Sequence, residues 1–302
     1  MYWLAETFPF IRRLRLPYSR DQFMLLLAAV NEIILGVDIY LAHNMNGNIH
    51  GYEWIPVIFG PLAGVLLLIA GLVALRRRPL ANLIATFIFF ASLLVGLLGT
   101  WFHLHRALLV DAPAGQVVTA AVLLWAPPLI GPLTFCLVAV LGLSAAWQEE
   151  PIDSGVLRLP GNRQLKMPLP KTRAYYLLTA LFILATLLSS VLDHARTNFA
   201  NPWLWAPTFI GVFAMVVTFA MGAFSHVQRA DLLTYVAAMF LMMGVGLLGA
   251  VLHTTHNLGD LGTFLDERFL RGAPMLAPLL FANMGLLGLI VLLDPKPETP
   301  LF

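Results

Sequence analysis

Charge is what this chain lacks most. Of its 302 residues, 11% are Asp, Glu, Lys or Arg and 59% are hydrophobic, with a mean hydropathy of +0.82. An ordinary soluble domain carries about 25% charged residues, so a soluble globular enzyme is excluded. Cysteine is nearly absent too. The single Cys136 sits in an apolar run, which rules out disulfides and thiolate metal sites. The phosphate loop, the dinucleotide fingerprint, the haem c attachment motif and the histidine-glutamate zinc protease motif are all missing. Nothing in the charge pattern suits nucleic acid. Strict apolar-polar alternation is also missing, and without it a closed membrane barrel cannot form.

Long apolar runs take the place of these features. Eight of about 20 residues fall at roughly 22–42, 55–75, 80–102, 127–146, 174–193, 207–225, 230–252 and 273–293, and each is long enough to cross about 30 Å of hydrocarbon as helix. The expected fold is an all-α integral membrane protein with eight transmembrane helices, its main partner the lipid bilayer.

The chain also repeats itself. Gly96-Leu97-Leu98-Gly99 precedes His103 as Gly246-Leu247-Leu248-Gly249 precedes His253. His43 stands eleven residues before Trp54-Ile55-Pro56, and His194 stands eleven before Trp205-Ala206-Pro207. Two four-helix units follow, with an even number of spans each. They are therefore expected to be parallel, related by a pseudo-twofold axis along the membrane normal. The boundaries are an interfacial amphipathic segment 1–20, a first repeat 21–146, a polar, proline-rich loop 147–172, and a second repeat 173–302. Short helices across the outer face are expected at 112–125 and 260–271. The pairs Ala126-Pro127 and Ala273-Pro274 are expected to open the membrane helices that follow.

Cations set the expected orientation. With the N-terminus inside, fourteen Lys and Arg face the cytoplasm, and only Arg106, Arg196, Arg268 and Arg271 face out. Both termini are then cytoplasmic. The excess of arginine over lysine fits a prokaryote, and the expected location is its inner (plasma) membrane.

Seven of the eight histidines fall at the outer boundary on this topology. His43, His103, His194 and His253 occupy matched positions in the two repeats and are the candidate ligands of a cofactor, haem b or a transition metal (copper, iron or zinc). His50, His105 and His256 lie close by in sequence and complete the candidate metal set. His103 and His105, two apart, point to opposite sides of a helix, whereas His253 and His256 share a face. A plainer role in the helix ends, such as hydrogen bonding to a turn, also explains four matched histidines.

Glu32 falls mid-span, opposite Ile183 of the other repeat. Intramembrane carboxylates are costly and mark function, so Glu32 is the candidate catalytic acid or base, coupling protons to the histidine site. Its plain alternative is a protonated carboxyl bonded to a neighbouring helix. Asp193 could orient an imidazole. The glycines before His103 and His253 could serve close helix packing or leave room for a flat macrocycle. The layout is similar in outline to the haem A synthases, whose Glu-x-x-His-Arg motif is absent here, so the likeness is one of architecture.

Three functions are compatible with this reading. One is a redox protein exchanging electrons with quinone or a periplasmic electron carrier. Another is a non-catalytic subunit of a larger respiratory or photosynthetic complex, packed against other membrane subunits. The weakest is a cation transporter.

Overall fold

The computed structural model describes residues 18–45, 47, 49–109, 124, 128–161, 163–258 and 266–293. The expected interfacial segment 1–20 and outer segment 112–125 lie almost wholly outside the described residues.

Helices dominate. The elements are α1 (Arg20–Met45), α2 (Trp54–Ala74), α3 (Arg78–Leu109), α4 (Ile130–Ala146), α5 (Lys171–Ala195), α6 (Trp205–Ala223), α7 (Arg229–Leu258), the short α8 (Asp266–Arg271) and α9 (Leu276–Val291). Six of them, α1, α2, α3, α5, α6 and α7, are long and apolar enough to cross a membrane. The chain is thus a multi-pass membrane protein. The other two expected spans are shorter apolar helices, α4 of 17 residues and α9 of 16. At 1.5 Å per residue they rise only about 24–26 Å. The expected opening pair Ala126-Pro127 lies outside the described residues; α4 begins only after Pro128, and Pro274 stands just ahead of α9 rather than opening it.

Helix starts follow local chemistry. Ser19 and Gln22 form a reciprocal cap on α1, the Gln22 side chain accepting from Ser19 N–H at 2.8 Å and the Ser19 hydroxyl from Gln22 N–H at 3.4 Å. Short 3-10 turns, Gly51–Glu53 and Pro202–Leu204, lead into α2 and α6. In the second, Asn201 accepts from Trp203 N–H at 3.0 Å.

Packing follows one scheme in each half. In the first half α1 lies against α2 and α4, and α3 lies against α2 and α4; α5, α6, α7 and α9 pack likewise in the second. So α1 and α3 face each other diagonally across one four-helix core, and α5 and α7 across the other. The halves meet along two seams, α4 against α5 and α9 against α1.

The polar, proline-rich segment 147–172 carries regular structure of its own. It forms a three-stranded antiparallel sheet of β1 (Gln148–Glu149), β2 (Val156–Leu159) and β3 (Arg163–Lys166), with Gln148 opposite Arg158 and Val156 opposite Lys166. Gly155 and Gly161 adopt φ of +71° and +77°, a region that glycine enters without strain. Strands of two to four residues leave too short a period to read in sequence. Glu149 ties the sheet to α5: its carboxylate accepts from the backbone N–H of Lys171 at 2.9 Å and of Gly155 at 2.7 Å.

Candidate functional site

The chemistry-bearing residues of the first half sit on its two diagonal helices, in two tiers. Glu32 on α1 is fully buried, and Ser92 on α3, also buried, donates its hydroxyl to Glu32 Oε1 at 2.5 Å. The same hydroxyl lies 3.3 Å from the Phe135 carbonyl of α4. Glu32 Oε2 is buried without a hydrogen-bond partner. Eleven residues further along α1 comes His43, and eleven further along α3 comes His103. Eleven residues are three turns, about 16 Å, so each pair repeats on the same helix faces. The His43 and His103 rings are 6.1 Å apart between centroids, at 75° to each other.

Both imidazoles are held from behind. His43 Nδ1 lies 2.9 Å from the Ile39 carbonyl, and His103 Nδ1 lies 2.8 Å from the Pro128 carbonyl. A carbonyl can only accept, so Nδ1 carries the hydrogen in each ring and Nε2 of the neutral ring keeps its lone pair. This is the arrangement by which backbone carbonyls fix a ligating histidine.

The Pro128 contact has its own cause. In a helix the carbonyl of residue 128 would accept from the N–H of residue 132, but Pro132 has none. His103 fills the vacancy. The second half repeats this atom for atom: His253 Nδ1 lies 2.9 Å from the carbonyl of Pro274, four residues before Pro278. Part of the match between the two copies is therefore structural.

The glycines belong to the same unit. A Cβ on Gly96 would meet the Pro132 carbonyl and Cys136, and one on Gly99 the Pro132 ring. On Gly246 it would meet the Pro278 carbonyl and Ala282, and on Gly249 the Pro278 ring. Close helix packing fills these notches, and the macrocycle space considered from sequence is taken by proline.

The remaining histidines other than His226, which lies between α6 and α7 at the opposite end, are spread around this end. His50 is exposed and stacks on Tyr52 at 5.9 Å, and its N–H donates to Glu53 at 2.8 Å. His105 is exposed beside Trp101, on the opposite side from His103 as its spacing predicts. His256 and His226 are exposed. His194 and His253 are near enough to interact electrostatically, with Asp193 in reach of both and paired to Arg196 at 3.5 Å. His194 Nδ1 is buried near the Leu204 backbone without a hydrogen bond. Among the described residues, no three His, Cys, Asp or Glu stand close enough together to hold a metal ion. Of the seven candidate metal ligands, His43–His103 and His194–His253 stand in pairs, and His50, His105 and His256 are exposed outside them.

Sequence reasoning missed two polar contacts across the seams. Asn283 on α9 donates its amide to Asn31 on α1, next to Glu32. At the opposite end from the histidines, Arg20 and Lys171 begin α1 and α5 and are both buried. Lys171 Nζ reaches Asp21 at 2.6 Å and the Trp147 carbonyl at 2.8 Å, Arg20 donates to Thr172 at 2.7 Å, and Tyr175 donates to Asp21 at 3.0 Å. The signal was present: Arg20 and Lys171 are 151 residues apart, the same interval as His43 and His194.

No protein-family model matches the chain, and no curated protein or solved structure is similar to it.

Proposed function

We propose that this chain is a membrane redox protein that binds a histidine-ligated group at the ends of α1 and α3 and exchanges electrons with quinone or a periplasmic carrier. The observation that carries the reading is the His43–His103 pair, 6.1 Å apart with both Nδ1 atoms bound to backbone carbonyls. Two imidazoles bound to one metal at about 2.0–2.1 Å each keep their ring centroids within roughly 6.4 Å, and this pair falls inside that limit. With two protein donors and no third His, Cys, Asp or Glu close enough among the described residues, the favoured ligand is one that brings its remaining donors with it. Haem b does so, taking two axial histidines. A copper, iron or zinc ion would have to fill its shell with water or substrate. Glu32, three turns beneath, is the group available for proton coupling.

The same proposal takes the protein to be eight-spanning, with two parallel repeats on a pseudo-twofold axis, both termini cytoplasmic and the histidines outside, in a prokaryotic inner membrane. The identical packing scheme of the halves and the identical His-Pro contacts support the repeat. The cation distribution supports the orientation.

A second reading has an observation of its own. Because His103 and His253 each satisfy a carbonyl orphaned by proline, their presence in both copies also suits a non-catalytic subunit of a larger membrane complex. A dithionite-reduced minus air-oxidised spectrum of the purified protein, with metal analysis on the same sample, separates the two. Sharp reduced haem bands, or a stoichiometric redox metal, uphold the redox reading. A sample with no chromophore and no metal leaves the structural subunit.

A further inference from the structure

We infer that the two histidine pairs are not equivalent: His43–His103 holds one ligand per chain, and His194–His253 is a structural copy that holds none. The inference rests on the ligand-binding reading above and names which half carries it.

The difference begins at the rings. In the first half both Nδ1 atoms are bound to carbonyls, so both Nε2 atoms are fixed as acceptors. In the second half only His253 is held this way; His194 Nδ1 is buried against the Leu204 backbone without a well-formed hydrogen bond. A poorly aligned contact orients a ligating imidazole less firmly, and losing such support altogether typically costs a metal site about 10–100-fold in affinity.

The surroundings differ as well. His194 meets Phe199 edge-on, with centroids 6.0 Å apart, and Phe199 stacks on Trp205 at 4.3 Å. This follows from the tight turn that ends α5. Asn198 and Phe199 are both left-handed, at φ of +52° and +49°, and the His194 carbonyl accepts from Thr197 and Phe199 N–H. The ring edge-on to His194 is thus a phenyl group, whereas the ring edge-on to His43 is another imidazole.

The tier beneath differs most. Glu32 and Ser92 lie three turns below the first pair. The residues three turns below His194 and His253 are Ile183 and Met242, both fully buried. Only the first core places a protonatable group under its histidines. The second fills the same place with hydrocarbon, which suits a half kept for packing.

Haemin titration of the full-length protein in detergent, followed by its Soret band, tests the inference. The variants are His43→Gly, which leaves the Pro128 contact intact, and His194→Gly, which leaves the Pro274 contact intact. One haem per chain is expected, with affinity lowered at least about tenfold in His43→Gly and unchanged in the second-half variant. Added imidazole should restore the Soret band of His43→Gly, which a misfolded protein would not allow. Two haems per chain, or loss of binding through the second-half variant alone, would overturn the inequivalence while leaving the ligand reading intact. Failure to bind haemin, and copper(I) offered in its place, would overturn both.

Discussion

Lys171 reaches from the start of α5 to Asp21 at the start of α1, an ammonium to carboxylate contact of 2.6 Å with the lysine fully buried. It joins residues 150 positions apart in the chain. The buried charges are compensated on several sides: Arg20 is 3.6 Å from the same carboxylate, Tyr175 donates to it, and the Arg20 and Lys171 cations lie 5.0 and 5.6 Å from the Tyr175 ring. Breaking such a pair from one side strands the other charge, a loss of about 3–5 kcal/mol.

Lys171→Met is therefore expected to lower the thermal unfolding midpoint sharply, and Lys171→Met with Asp21→Asn to recover much of it. Circular dichroism of the detergent-solubilised protein reads both. Equal losses in the single and double variants would show that the pair does not hold the seam.

The His103 and Pro132 positions should be coupled. His103→Ala leaves the Pro128 carbonyl unpaired, a cost of about 1–3 kcal/mol. Replacing Pro132 by alanine returns an N–H four residues beyond that carbonyl, so His103→Ala should cost less in a Pro132→Ala background. A double-mutant cycle measures the difference, and the His253 and Pro278 cycle should give the same sign. Strict additivity in both would refute the capping role.

Glycines two residues apart on α7 should respond oppositely. A Cβ on Gly244 meets open space, whereas one on Gly246 meets the backbone of α9. Gly244→Ala is expected to be neutral or stabilising by up to about 1 kcal/mol. Gly246→Ala should destabilise by about 1–3 kcal/mol through overpacking. Thermal midpoints of the two proteins decide it.

The Asn31–Asn283 contact should show a small coupling energy. Interhelical hydrogen bonds in membranes average about 0.6 kcal/mol in double-mutant cycles, with a maximum near 1.7. Leucine at either position alone should cost more than half the loss from leucine at both. Simple additivity would mean the amides do not recognise each other.

Much of this architecture was legible in the sequence because it is written in local terms. Apolar runs mark the helices, and an interval of 150 residues links the two histidines, His103 and His253, that meet proline-freed carbonyls. The approach of His43 to His103 followed from two helix ends lying on the same side. What was not legible depends on which helices meet. Asn31 and Asn283 look unremarkable until α1 lies against α9, and Arg20 and Lys171 read as ordinary inside cations until α1 and α5 start side by side. The lengths of α4 and α9 were overestimated because Pro127 and Pro274 were read as first-turn prolines. Pro132 and Pro278 have no N–H to offer the Pro128 and Pro274 carbonyls, so both helices start later than expected. The role of Gly96 and Gly99 was open between packing and a cofactor, and only the position of Pro132 decides it.

Pro132 seated between Gly96 and Gly99, and Pro278 between Gly246 and Gly249, act as detents. Sliding α4 along α3, or α9 along α7, by a single residue would drive proline into backbone with no side chain to yield. Each four-helix half is thereby locked against internal shear.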